Sequence, residues 1–203
     1  EVVNRKKYPE KYTGLLTGMK KFDLLTGGLF KAELTIFFGL AGKGKSTVMK
    51  NLCSFVRRTG RNVLHVTNEE NSFQVQTKYH SLETKVEYHK YKRGLVSDEE
   101  LEGWQEFNRL QKQGYGDIYV LEIPQGTDCT QIEAAFFDLK QRGVKIDLIC
   151  VDYMDLMTSV GKAYSEWDEQ GKVTKDLKQL AISCDVPVMT CTQGGIHIEK
   201  FEK

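Results

Sequence analysis

The 203 residues hold no apolar run long enough to cross a bilayer and no charged-then-apolar leader of the kind that directs secretion, a pattern that predicts a cytoplasmic protein. Cysteine occurs only as Cys53, Cys129, Cys150, Cys184 and Cys191. An odd number without C-x-x-C spacing argues against a disulfide framework and predicts buried, reduced thiols. The four histidines, His65, His80, His89 and His197, stand at no ligand spacing from those cysteines, so no structural zinc site is expected. Excess charge is missing as well. With 29 basic and 28 acidic residues the formal net charge is +1, so no global field draws the chain to a polyanion and any nucleic acid must be held by local loops. There is no internal repeat, low-complexity tract or domain linker, and no initiator methionine stands at Glu1, as expected of a fragment or processed product. What is present, 40% hydrophobic and 28% charged residues, is the composition of one globular α/β domain with enough chain for a sizeable core.

Helical and strand patterns alternate along the chain, which predicts a mostly parallel sheet with helices on its faces. Strands are expected at 34–38, 62–67, 118–121, 146–151 and 186–192, with a further one at 196–201. A helix at 47–58 is expected to carry Val48, Leu52, Phe55 and Val56 on one face. The stretch after the second strand is long, polar and helical; within it Ser97 and Glu100 form a capping box, with Val96 and Leu101 as a hydrophobic staple, ahead of a helix at 98–113. Asp128 caps a helix that runs to Arg142 and stops at Gly143, and another helix spans 166–183.

The segment Gly39-Leu40-Ala41-Gly42-Lys43-Gly44-Lys45-Ser46, followed by Thr47, fits the phosphate-loop pattern G-x-x-x-x-G-K-[ST]. Its glycines let successive backbone N–H groups face phosphates, and the following helix adds its positive N-terminal end to the same anion. Lys45 then reaches the β- and γ-phosphates and Ser46 offers its hydroxyl to magnesium, so ATP or another nucleoside triphosphate with Mg2+ is the expected ligand. The bland reading, a glycine-rich turn before a helix, is disfavoured because strand, loop and helix agree. Leu148-Ile149-Cys150-Val151-Asp152 ends in a carboxylate at the carboxyl end of a parallel strand, where ligands bind in such sheets. Phosphoryl-transfer sites of this type place an aspartate there to hold magnesium opposite the loop serine. An apolar run ending in Asp is common, and its place after the loop is what gives it meaning. Asn68-Glu69-Glu70 follows the second strand at the same sheet edge, where a carboxylate can take a proton from attacking water. Glu69 is favoured for that role, although either glutamate can instead cap or solvate the next helix. Thr192-Gln193 ends the last of these strands with an amide that can sense the γ-phosphate.

Together with Thr17-Gly18-Met19-Lys20-Lys21-Phe22-Asp23-Leu24-Leu25-Thr26-Gly27-Gly28-Leu29 leading into the loop strand, this order of motifs resembles the ATPase domain of DnaB-type replicative helicases. Val63-Leu64-His65-Val66-Thr67-Asn68-Glu69 resembles the strand carrying the family's catalytic glutamate, and Val151-Asp152-Tyr153-Met154-Asp155-Leu156-Met157 is similar to its V-D-Y-L-Q-L-M. The helix at 173–181, Val186-Pro187-Val188 and Thr192-Gln193 resemble the segment leading to its glutamine sensor, so the likeness covers 13–193. Phage-encoded relatives share this core, and the loose spelling of several motifs suits a phage source, which would put the protein in the host cytoplasm.

The resemblance implies a RecA-like ATPase domain at 13–203, part of a longer chain, with 1–12 as an arm or linker that docks on the neighbouring subunit. It implies a hexameric ring that hydrolyses nucleotide at subunit interfaces and moves single-stranded DNA through its channel, with primase and other replisome proteins as partners. In that scheme Lys45 neutralises phosphate charge, Ser46 and Asp152 hold magnesium, Glu69 polarises water and Gln193 reports the γ-phosphate, while a basic finger arrives from the neighbour. After Gln193 the family runs through a DNA-contacting loop to a K-x-R finger, whereas here only Gly194 to Lys203 follow. Lys200 falls at the lysine position, but Glu202 stands where the arginine belongs, so the finger is left unassigned.

Lys78-Tyr79-His80 and the tract at 85–93, with Tyr88 and Tyr91, have the composition of a stacking surface for nucleic acid. Their helical spacing predicts packed tyrosines and solvated lysines instead. Asn4-Arg5-Lys6-Lys7 reads as a solvated arm, and DNA contact is expected at 159–165, containing Lys162, and after Gln193. Two other functions compete: a RecA-like ATPase of recombinase or clock type that does not unwind, and a nucleotide-switched loader or scaffold, against which intact Glu69 and Gln193 argue.

Overall fold

The computed structural model describes residues 13–193; the arm Asn4-Arg5-Lys6-Lys7, the strand expected at 196–201 and the candidate Lys200 lie outside the described residues. Within them the chain runs α1 (Lys20–Thr26), β1 (Leu34–Gly39), α2 (Lys45–Arg58), β2 (Val63–Thr67), α3 (Ser72–Thr84), α4 (Tyr88–Arg93), α5 (Asp98–Gln111), β3 (Ile118–Glu122), α6 (Cys129–Gln141), β4 (Leu148–Asp152), a 3-10 turn (Met154–Leu156), α7 (Glu166–Cys184) and β5 (Val188–Gln193). The strands form one sheet in the order β1-β5-β4-β2-β3. Every pairing is parallel, because a helix crosses over between strands and returns the chain to its starting edge. All five carboxyl ends therefore share one edge. Register keeps them level there, with Gly39 opposite Gln193 and Thr67 opposite both Asp152 and Glu122.

Side chains along a strand alternate between faces, and here the alternation feeds two separate cores. Leu64, Val66, Ile149 and Val151 point to the face covered by α6 and α7, where Ile132, Phe136, Val173 and Leu177 are buried against them. Val63, Leu148, Cys150 and Met189 point the other way, under Met49, Leu52, Cys53 and Val56 of α2 and Val75 and Tyr79 of α3. Strands covered on both faces read as continuous apolar runs, as β4 does from Leu148 to Val151, whereas β2 is interrupted by His65.

The buried stripe of α2 is Met49, Leu52, Cys53 and Val56, rotated from the one expected. Val48 is 38% exposed, and the half-buried Phe55 packs sideways over Gly18, where a Cβ would lie 2.5 Å from its ring. Strand β5 begins at Val188, two residues later than expected, because Pro187 has no N–H to give the ladder and contributes only its carbonyl, to Ile149 N. Likewise β4 begins at Leu148, since Asp147 turns aside to bond Asn62 through both its backbone N–H and its carboxylate. The polar stretch after β2 is three helices. The Ser97 and Glu100 capping box forms as expected, and a second, Asn71 with Gln74, opens α3. No helix among the described residues is long and apolar enough to cross a membrane.

Candidate active site at the phosphate loop

The loop between β1 and α2 turns through Gly42 and Gly44 at φ of 70° and 82°. A Cβ at either glycine would meet nothing within 4 Å, so backbone conformation rather than space calls for glycine. Gly44 caps α2 without any side-chain hydrogen bond, which leaves the first N–H groups of the helix to an anion. Lys45 Nζ donates back to the carbonyls of Gly39 and Leu40 at 2.9 and 3.0 Å, bridging the loop's own entrance. A cavity of about 270 Å3 opens above it. On one side stand Gly42, Gly44, Lys45, Ser46 and Thr47; Glu69, Tyr153, Cys191 and Gln193 form the rest of its wall. The exposed Ala41 and Lys43 belong to the loop but not to that wall.

Asp152 is 4% exposed at the end of β4. Its Oδ1 accepts from Ser46 Oγ at 2.8 Å and its Oδ2 from Lys50 Nζ at 2.9 Å. The hydroxyl and carboxylate expected to share magnesium are thus in direct contact. Both are hard oxygen donors, Ser46 in the cavity wall and Asp152 directly behind it, a set that fits Mg2+.

Lys50 was not anticipated. One turn beyond Ser46 and only 3% exposed, it also lies 3.3 Å from Glu70 Oε2, while Lys78 closes on the other oxygen of Glu70. Burial works against charge on each of these groups. Asp152 and Glu70 outweigh it at Lys50, raising that ammonium above its ordinary value, and the lysines in turn hold both carboxylates below theirs. The signal available in the sequence was a lysine inside an apolar helical stripe, a position that demands a buried counter-charge.

The two adjacent glutamates have different surroundings. Glu70 is engaged by Lys50 and Lys78, whereas Glu69 is exposed, faces the cavity and makes no hydrogen bond or ion pair among the described residues. Two further residues hold the site. Asn68 clamps Tyr153 through both amide atoms, donating to its carbonyl at 2.9 Å and accepting from its N–H at 3.0 Å, so the ends of β2 and β4 move together. Asp155 accepts from Thr192 Oγ1 at 2.6 Å and Gln193 N at 2.7 Å, fixing the end of β5. Cys191 contacts Asp152 Oδ1 at 3.8 Å, and burial with that neighbouring charge pushes its thiol up to about 12. In the basic tract the tyrosines pack as expected, with Tyr79 buried and Tyr91 meeting Thr84 at 2.8 Å, whereas Lys78 and Lys90, expected to be solvated, pair with Glu70 and Glu100 because those carboxylates fold against them.

A parallel sheet with a phosphate loop after its first strand and carboxylates at neighbouring strand ends defines a RecA-like phosphate-loop NTPase domain. The DnaB-like helicase C terminal domain profile matches residues 14–201, and the chain belongs to that family. It is similar to the replicative DNA helicase DnaB of Helicobacter pylori (strain ATCC 700392 / 26695), at 26% identity over 201 residues that cover 97% of this chain and 40% of that protein. Two solved structures share the fold. One is of a DnaB-like replicative helicase and its interactions with primase, with a TM-score of 0.83 and 16% identity, covering 100% of this chain and 49% of that one. The other is a solved ATPase domain, with a TM-score of 0.82 and 16% identity, covering 98% of this chain and 72% of that one.

Proposed function

We propose that this chain is the motor domain of a replicative DNA helicase, in which Mg-dependent hydrolysis of ATP or another NTP at subunit interfaces drives movement along single-stranded DNA and duplex unwinding. The observation that carries the reading is the convergence of the phosphate loop, Glu69 and Gln193 on one cavity, with Asp152 bonded to Ser46 of its wall. Family membership favours a helicase motor over a recombinase, a clock-type ATPase or a passive loader.

Lys45 exchanges its two carbonyl partners for the β- and γ-phosphates, a move that needs only side-chain rotation. Ser46 and Asp152 would hold the magnesium, which supplies charge neutralisation at the phosphates. Glu69, free of ion pairs among the described residues, accepts the proton of the attacking water, and its neighbour Glu70 is the structural partner of Lys50 and Lys78. Gln193 senses the γ-phosphate from a strand end that Asp155 fixes. Charge developing on the transferred group calls for a basic finger from a second subunit, and a hexameric ring supplies one at each interface. Leu24 and Leu25 of α1, 86% and 85% exposed, suit such an interface. Tyr164 and Trp167, 93% and 87% exposed beside the segment with Lys162, offer stacking faces to unpaired bases. Primase and other replisome proteins are the partners that the helicase reading carries with it, and the cytoplasm is its compartment.

The test is the steady-state ATPase rate per subunit across protein concentrations, with and without single-stranded DNA. Lys45→Ala is the blank, expected to lose on the order of 100-fold or more in kcat. Glu69→Gln should bind nucleotide normally and lose about 100-fold or more in turnover. A rate that rises with concentration and again with DNA supports the motor. Equal turnover in wild type and both variants overturns it.

A further inference from the structure

Behind the phosphate loop three side chains with soft or borderline ligand atoms meet in the core. Cys53 comes from α2, His65 from β2 and Cys150 from β4, and each is 0% exposed. His65 and Cys150 are direct register partners on neighbouring strands, so they share a face, and α2 packs Cys53 onto that face. Their ligand atoms lie within 4.8 Å of one another. A triangle with no side longer than 4.8 Å has a point within about 2.8 Å of all three corners, against about 2.3 Å for Zn–S and about 2.0 Å for Zn–N bonds. A contraction of at most about 0.5 Å for each sulfur and about 0.8 Å for the nitrogen therefore closes the site.

The imidazole is already prepared. Tyr79 hydroxyl holds His65 Nδ1 at 2.9 Å, the outer-shell contact that usually fixes the tautomer and orientation of a metal-bound histidine. Its other nitrogen, Nε2, is buried without a hydrogen-bond partner. An unpaired ring nitrogen in a core is costly in either tautomer, and in the one where Nδ1–H donates to Tyr79 the lone pair of Nε2 is open to a metal ion that would remove that cost.

We propose that Cys53, His65 and Cys150 form a structural zinc site that pins α2 to β2 and β4 behind the nucleotide site. On binding, both thiols release a proton and two Zn–S bonds and one Zn–N bond form, with no change of oxidation state. Two thiolates and a dication sum to zero charge, as do the two thiols they replace, so the core that holds Lys50, Asp152 and Glu70 gains no net charge. A monovalent soft ion such as Cu(I) would leave one negative charge buried. Three protein ligands are one short of the tetrahedral four, so the remaining position is left to water or a neighbouring oxygen. Spacing rules miss this site because its ligands come from three separate elements.

The first measurement is zinc content by mass spectrometry of the full chain, purified without chelator, incubated with zinc alone and desalted. About one zinc per chain is expected, with loss of that zinc in Cys53→Ser and Cys150→Ser. Because loss of a fully buried side chain can unfold either variant, the wild-type chain loaded with Co2+ gives a second readout: thiolate-to-cobalt charge-transfer absorption together with d–d bands that report a four-coordinate ion, whose absence overturns the proposal. Metal-free protein after zinc incubation overturns the proposal. So does zinc retained by folded variants, or a Cys53–Cys150 disulfide recovered by peptide mapping. None of these readouts involves nucleotide or DNA, so they stand apart from the helicase assignment.

Discussion

The two faces of the sheet are buried to a similar depth by different chemistry. Under α6 and α7 the wall is aliphatic and aromatic, built from Ile132, Phe136, Val173 and Leu177 against Leu64, Val66, Ile149 and Val151. Under α2 and α3 the same strands meet Lys50, Ser54, Arg57, His65 and Thr77, all buried. A purely apolar face is the simpler route to stability, since a buried ion pair rarely exceeds a well-packed hydrophobic substitute. The polar face therefore points to a task other than holding the fold: it carries the helix that begins with Lys45 and Ser46 and the strand that ends in Asp152.

Substitutions can break that contrast. Lys50→Met leaves Asp152 and Glu70 without their buried cation, an expected loss of about 3–5 kcal/mol in chemical denaturation, accompanied by altered magnesium dependence of nucleotide binding. Leu177→Ala on the other face opens a cavity worth about 2–5 kcal/mol and leaves nucleotide affinity unchanged. If both variants change stability and binding alike, the division of labour between the faces is wrong. Asn68→Ala strips Tyr153 of both amide contacts, an expected cost of about 1–3 kcal/mol, with a fall in turnover because the ends of β2 and β4 are no longer tied. The smallest effect is one of pH. Burial, then the nearby Arg57 charge, lowers His80 from its ordinary 6.5. Its contribution is complete above pH 6.5 and is lost as pH falls through the depressed folded value, because the unfolded chain binds the proton first. His80→Phe should flatten that part of the stability profile.

Strands β1, β2 and β4 and the capped helices were legible because their periodicity, caps and turn residues are local signals. The phosphate loop was legible for the same reason, since its function is performed by contiguous backbone. Strand starts were less so: Pro187 and Asp147 each divert a backbone group that only the paired strand reveals. Lys50 reads as one more helical cation until the fold sets it against Asp152, 102 residues away. Asp155 lay inside a recognised motif, yet its bonds to Thr192 and Gln193 depend on β5 returning beside β4. Tertiary neighbours of opposite charge leave no trace in sequence spacing, which is why residues supporting the site were missed while those lining the cavity were found.

Helix α2 has 14 residues, a rod of about 21 Å. Its loop end carries Lys45 and Ser46. Toward its far end, Ser54, Arg57 and Arg58 all converge on Glu83 of α3, with Arg58 Nε 2.9 Å away, and Arg57 also lies 4.8 Å over the ring of Phe107 in α5. Over that length a tilt of about 3° at the loop end corresponds to about 1 Å at the other. One rigid element therefore spans the distance from the cavity wall to the surface of α3 and α5, neither of which lines that cavity.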